Sequence, residues 1–383
     1  MPDRESTGGP VACEPPFVAE LRRAGVDVHE ETYVHADRGA RISLWTRITR
    51  VLRTAGVFRR RLQSERFDVV HLNTSFDTRA LLRDVVTLLY LRRSPRAKIF
   101  LKFHGSDAAL LNTGNPLLRY LGGWLLARAD GIGALSSEEK ENFVRAGVDA
   151  RRVFLIKNVV REALDQKSAG FAERLEVDAR CPVLLFIARF IPAKGLLDVV
   201  RACRIMRERG IEFVLLCVGD GEARAEAESL AAQENLQSRV RFCGYIPEER
   251  TGEFYANATM LVFPTYHYEG FPMVIFNSVA AGIPIITTRI RAAADYLREP
   301  DHCLWVEPKN PALLAEKIIH LLSHPAARET MRRNNRELAQ QFTAEIVTRE
   351  YIDIYERLGT HEETIDPLTH RLIDSFNNGP MNQ

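Results

Sequence analysis

The chain has 383 residues, of which 46% are apolar, 27% charged and 8% aromatic, and its formal net charge is +2. That length and apolar content exclude wholesale disorder and supply roughly two to three domain cores. The near-neutral balance excludes a dedicated nucleic-acid binder, whose domain would be strongly basic.

The opening segment MPDRESTGGP is too polar for a signal peptide. No apolar run approaches the ~18 residues of a membrane span, so a cytoplasmic-type chain is expected. Short Val/Ile/Leu runs predict strands at 26–34, 67–72, 99–103, 131–135 and 153–156, with helices such as 78–91 and 115–128 between them. Residues 41–66 carry eight arginines against one acid, Glu65. Leu44, Ile48, Val51, Leu52, Ala55, Phe58 and Leu62 recur there at helical spacing, with Trp45 at the edge of the stripe. This is either an ordinary helix packed on a sheet with solvated arginines, or a basic amphipathic helix on an anionic membrane surface. Arg92, Arg93, Arg96 and Lys98 form a second basic cluster. Through Asn158 there are 26 Lys+Arg against 18 Asp+Glu, and the remainder has 26 against 32; this opposition of sign supports a division into two domains.

After a weakly patterned stretch at 160–180 the alternation restarts. Strands are predicted at 183–188, 213–218, 240–243, 260–263 and 283–287, with helices beginning near Gly195, Ala223, Pro247 and Pro272. From Pro311 onward the pattern is helical, ending in an amphipathic stretch at 343–358 and a polar, loose tail at 359–383. Two series of buried strands alternating with helices imply an α/β chain of two doubly wound parallel sheets facing across a cleft, with ligands at the carboxyl ends of the strands. The domains are expected at 1–165 and 180–342. Six cysteines (Cys13, Cys181, Cys203, Cys217, Cys243, Cys303) form no CxxC or zinc spacing and read as buried free thiols of a reducing compartment.

The second half sets a distinctive group at each strand end. Arg189 and Lys194 flank a turn into a helix, where two cations and free N–H groups suit a diphosphate, though such a pair is also common as solvated charge. Gly219-Asp220-Gly221 lets a backbone approach a ligand or makes a tight turn. Gly244 and Tyr245 end the next strand, where Tyr245 either stacks on a base or packs. Glu269-Gly270-Phe271-Pro272-Met273 runs into a helix whose N-terminus favours anionic or oxygen-rich ligands.

The string EGFPMVIFNSVAAGIPIITT resembles the signature of the retaining family-4 glycosyltransferases, of GT-B architecture, as do ARFIPAKG, LLCVGDGE and VRFCGYIPEE, with STGGP and FLKFHGSD in the first half. The resemblance runs from Ser6 to Leu358. It implies a nucleotide-sugar donor, UDP- or GDP-linked, held mainly by the second domain. It also implies a glycan or lipid-linked acceptor on the first, retention at the anomeric carbon, and no metal or other cofactor. By the same resemblance Arg189 and Lys194 hold the diphosphate, and Glu269 binds sugar hydroxyls in a pocket shaped by Gly270, Phe271, Pro272 and Met273. Gly8 and Gly9 let a loop approach the phosphates, Gly219, Gly244 and Tyr245 contribute to the donor site, and His104 contacts the sugar near the reacting centre, unless it is a capping or core histidine. The helix at 343–358 crosses back to brace the first domain.

Two departures stand out. Where the family has a second Glu, binding the ribose hydroxyls, this chain has Asn277, which offers one acceptor oxygen instead of two. And no hydrophobic strand precedes Gly8, so the first sheet is expected to lack a central strand and the native start to lie upstream of Met1, with unpaired backbone and a void as the consequence. The leading reading is a glycosyltransferase of cell-surface polysaccharide or glycolipid synthesis, peripheral at the cytoplasmic membrane face through 41–66. The alternative is a non-catalytic scaffold of the same fold that binds a nucleotide sugar.

Overall fold

A computed structural model describes residues 9–31, 43–91, 97–106, 108–162, 164, 170–175, 177–178 and 180–360. The chain divides into two compact units: Met1–Val159 with Tyr268–Phe271 and Ala344–Gln383, and Val160–His267 with Pro272–Thr343.

The first unit holds a parallel sheet of β1 (Val69–Phe76), β2 (Lys98–Ser106), β3 (Gly131–Ala134) and β4 (Val153–Leu155), in that order. Helix α1 (Gly9–Arg23) forms despite Pro15 and Pro16, because Cys13, Phe17, Val18 and Leu21 fall on one stripe and are buried. Helix α2 (Leu44–Ser64) starts at Ser43, whose hydroxyl accepts from the Thr46 N–H. Helix α3 (Thr78–Leu91) buries Leu81, Val85, Leu88 and Leu91 against the sheet. The C-terminal helix Ala344–Thr360 also belongs to this unit. It buries Val347, Tyr351, Ile354 and Leu358, and the Tyr351 ring lies 4.6 Å from that of Phe17 in α1.

The second unit holds a parallel sheet of β5 (Val183–Ile187), β6 (Val214–Val218), β7 (Val240–Gly244), β8 (Met260–Phe263), β9 (Ile285–Thr287) and β10 (Cys303–Trp305), ordered β10-β9-β8-β5-β6-β7. β5 and β6 are buried at every residue, which is why both read as unbroken apolar runs.

Four expectations change. Residues 26–31 form no strand, and 32–34 lie outside the described residues; among the described residues β1 pairs with β2 alone, and none pairs with 26–31. The helix expected near Pro247 is a single tight turn, Glu248–Arg250, before the short helix Gly252–Asn257. Cys181 and Cys243 are half-buried rather than buried, although all six thiols are unbonded. The basic stripe splits lengthwise: Ala55 is buried and Phe58 and Leu62 pack on the core, whereas Trp45, Ile48 and Leu52 are 77%, 41% and 40% exposed. Arg92, Arg93, Arg96 and most of the tail lie outside the described residues.

Tyr351 is buried against Phe17, His71, Phe100 and Tyr355, and its hydroxyl donates to the Lys157 carbonyl at 3.2 Å. Tyr351→Ala is expected to destabilise the first unit by about 3–5 kcal/mol, as for other large buried aromatics, read as a lowered urea midpoint.

Candidate active site

In the first unit the candidate side chains gather toward the carboxyl ends of β1 and β2. His104, on β2, has its Nε2 2.8 Å from Asn73 Oδ1 on β1 and 3.5 Å from Glu14 Oε1 on α1. Asn73 Nδ2 donates to the other Glu14 oxygen at 3.0 Å, and the Lys102 ammonium donates to Glu14 Oε1 at 2.6 Å. Lys102 and Glu14 are buried, and the ammonium also lies 5.6 and 5.3 Å from the ring centroids of Phe17 and Tyr351. Burial alone would raise the Glu14 carboxyl, but Lys102 and then His104 outweigh it and hold it down at about 2. Burial likewise opposes a charged Lys102, and Glu14 outweighs that burial, so its pKa is raised. His104 is half-buried, and its Nε2 meets two groups that sequence reading did not single out, Asn73 and Glu14. The one signal for them was Lys102, a lysine inside the apolar run of β2.

Cys13, Glu14 and His104 present ligand atoms within 4.8 Å of one another. A cation there would meet the Lys102 ammonium on the same carboxylate, and burial pushes the Cys13 thiol far up, away from the thiolate a metal needs. The cluster fits an ion-pair network better than a metal centre.

Gly8 lies outside the described residues, and Gly9 is the first residue of α1 rather than part of a loop. Glu269 is half-buried, and Gly270 and Phe271 are buried. A Cβ on Gly270 would stand 2.7 Å from Glu139 Oε2 and 3.2 Å from Leu135 Cβ, so close approach requires glycine here. Glu139 cannot easily yield: its other oxygen accepts from the Ser106 N–H and hydroxyl at 2.9 and 2.8 Å, and its N–H donates to the hydroxyl of Ser136, the N-cap of its helix, at 3.2 Å.

In the second unit, Arg189 is exposed just past the end of β5 and has no ion-pair partner among the described residues. Lys194 is buried at the end of a single turn, Pro192–Lys194, with its ammonium 5.4 Å from the Phe263 ring centroid. The strand ends are tied together: the Ala188 N–H donates to the Val218 carbonyl at 3.0 Å, Phe190 to Asp220 at 2.8 Å, and Gly219 to Gly244 at 2.8 Å. Gly219 has φ +136°, and a Cβ there would strike the Ala188 carbonyl oxygen, so its absence of side chain serves the joining of β5 to β6 first. Tyr245, after β7, is 57% exposed. Pro272 is buried and caps the helix Met273–Ala280, whose first residue, Met273, is half-buried. Asn277 is buried and its Nδ2 donates to Glu248 Oε1 at 3.2 Å. Burial raises the Glu248 carboxyl. A carboxylate thus stands beside Asn277 from the neighbouring loop, a residue the sequence spacing could not single out.

Comparison with known proteins agrees with this architecture. Residues 171–338 match the family described as Glycosyl transferases group 1, and residues 16–163 match Glycosyltransferase Family 4. The chain belongs to these glycosyltransferases and has their two-sheet GT-B fold. It is 26% identical to an uncharacterized glycosyltransferase of Methanocaldococcus jannaschii over 78% of this chain and 77% of that one. Several other curated relatives match over about half of their own length. Among solved structures, sucrose-phosphate synthase from Thermosynechococcus elongatus superposes with a TM-score of 0.75 at 22% identity, covering 94% of this chain and 95% of that one. Anabaena HepE in complex with UDP-glucose does so with a TM-score of 0.68 at 18% identity, covering 89% of each.

Glu14→Gln leaves a buried ammonium without its counter-charge and is expected to cost about 3–5 kcal/mol in a denaturant titration, whereas Glu14→Met with Lys102→Met recovers most of that. Because the folded-state Glu14 pKa of about 2 lies below its ordinary 4.5, its stabilisation is complete above 4.5 and lost as pH falls through 2. The double variant should therefore show a flatter stability profile over that window.

Proposed function

We propose that the chain moves a sugar from a nucleoside-diphosphate donor, UDP- or GDP-linked, to a glycan or lipid-linked acceptor, with retention at the anomeric carbon. The setting is cell-surface polysaccharide or glycolipid synthesis at the cytoplasmic membrane face. The observation that carries this reading is Arg189: an exposed guanidinium without an ion-pair partner among the described residues, on the carboxyl rim of a parallel sheet. A guanidinium is suited to a diphosphate by its paired donors and its fixed charge. Its charge acts as the bond from the anomeric carbon to the diphosphate oxygen breaks and negative charge grows on the leaving group. The acceptor hydroxyl bonds to the same face of that carbon and passes its proton to the departing phosphate, so no protein nucleophile is used and no step is assigned to a metal.

His104, oriented by Asn73 and Glu14, faces the reacting sugar in this proposal, and Glu269 takes its hydroxyls. Asn277 and Glu248 together supply acceptors for the ribose. The UDP-glucose complex of the fold-mate HepE supports a donor of this class. For the membrane side, the amino half of α2 supports contact, because it leaves Trp45, Ile48 and Leu52 exposed among arginines. No helix among the described residues is long and apolar enough to cross a membrane.

Calorimetric titration with UDP-glucose, UDP-N-acetylglucosamine and GDP-mannose tests the donor site. One donor is expected to bind, and Arg189→Ala to weaken it about 10–100-fold; an unchanged affinity in the variant, or silence with every donor, overturns the assignment. Binding without transfer to any acceptor would favour the scaffold. Flotation with phosphatidylglycerol vesicles tests the surface: binding at low salt should fall with added salt and disappear in Trp45→Ala, Ile48→Ala.

A further inference from the structure

Asn73 and Glu14, the two side chains that meet the Nε2 atom of His104, both present acceptors to it. The Asn73 Nδ2 lies 3.0 Å from Glu14 Oε2, and an ionised carboxylate can only accept, so the amide nitrogen stands on that side. The amide oxygen is therefore the atom 2.8 Å from His104 Nε2, and it too can only accept. The other neighbour is Glu14 Oε1, at 3.5 Å. Nε2 must then carry the hydrogen, and in a neutral ring Nδ1 becomes the acceptor.

Lys102 decides whether the ring is neutral. A carboxylate beside an imidazole ordinarily favours the imidazolium. Here the same Glu14 oxygen lies 2.6 Å from the Lys102 ammonium, closer than its 3.5 Å to His104. Lys102 and Glu14 are buried, so the two charges balance each other within the site. A further positive charge on His104 would meet a carboxylate already matched. Around this pair, His71 of β1 is held neutral by burial, down at about 3, and burial keeps Cys13 of α1 a thiol. Tyr351 of the C-terminal helix is kept a phenol in the same way.

We propose that Glu14, Asn73 and Lys102 are positioning residues that hold His104 as a neutral imidazole with its proton on Nε2. The consequence for substrate rests on the transfer reading above. His104 offers Nδ1 as an acceptor and selects a sugar that presents a hydroxyl hydrogen to it. A uronic acid, with a carboxylate at that point, brings a lone pair where a donor is needed, and a sugar lacking the hydroxyl brings nothing. An imidazolium would reverse the choice, because it donates from both nitrogens.

Nitrogen-15 NMR of the histidine-labelled chain reads the ring directly, with His104→Asn identifying its signals. A neutral ring protonated on Nε2 is expected at neutral pH; an imidazolium, or a proton on Nδ1, overturns the proposal. Lys102→Met leaves Glu14 without its cation and makes His104 the counter-ion. Its titration midpoint should rise by about one pH unit or more, and a midpoint that stays or falls overturns the role of Lys102. Glu14→Met with Lys102→Met removes both charges and frees the Asn73 amide to turn, so both tautomers should appear. One unchanged tautomer in that variant overturns the roles of Glu14 and Asn73. Calorimetry then compares UDP-glucose with UDP-glucuronic acid, and GDP-mannose with GDP-mannuronic acid. The unaltered chain should prefer the neutral sugar of the pair it binds by about tenfold or more, and Lys102→Met should narrow that ratio. Equal affinity for both sugars in the unaltered chain overturns the selection. If no donor binds, the transfer reading and the sugar selection fall together, and the spectrum alone decides the state of the imidazole.

Discussion

The buried pair of Lys102 and Glu14 is the contact on which the first unit is arranged. Two charges taken out of water are tolerable only when each satisfies the other, so the 2.6 Å bond fixes α1 against β2 at one register. From that fixed point the remaining contacts follow. Glu14 turns its second oxygen to Asn73, and Asn73 holds His104, so an α1 carboxylate determines how a β2 imidazole is presented. The rings of Phe17 and Tyr351 close over the ammonium and bring in the C-terminal helix. A site built this way gains rigidity from charge, in a place where apolar packing alone would let the helix slide.

The second unit fixes its strand ends in a different way. Its rim is fixed by backbone hydrogen bonds between successive strand ends, and small residues let those ends approach. The guanidinium of Arg189 stays exposed, and the loop carrying it is held by its main chain. Lys194, five residues on, is drawn beneath the surface beside Phe263, so the two cations that look equivalent in the sequence stand in different environments.

Most strands were legible because parallel strands covered on both faces read as uninterrupted Val, Ile and Leu, as in β5 and β6. The motifs at their ends were legible because glycine, proline and charge interrupt those runs. Helix α1 was not, since Pro15 and Pro16 speak against a helix and only the burial of Cys13, Phe17, Val18 and Leu21 overrides them. Nor were Glu14, Asn73 and Glu248: each acts through a partner distant in sequence, and no spacing rule connects Asn73 to Glu14 or Glu248 to Asn277. The reading of 26–34 as a strand failed at 26–31 for a different reason. Its residues have strand character, but a strand is a relation between neighbours, and among the described residues none pairs with this one.

The C-terminal helix has a consequence for synthesis on the ribosome. Residues up to Val159 emerge first, yet the unit they form is completed only by residues from Ala344 onward, after the second unit has been made. At about 5–20 residues per second the interval is roughly 10–40 s. Throughout it, Phe17, Phe100 and the charged Lys102 lack the Tyr351 ring that covers them in the finished protein. The nascent first unit is therefore the part of this chain most exposed to chaperones and proteases, and the second, made of one nearly continuous stretch, is free to fold ahead of it.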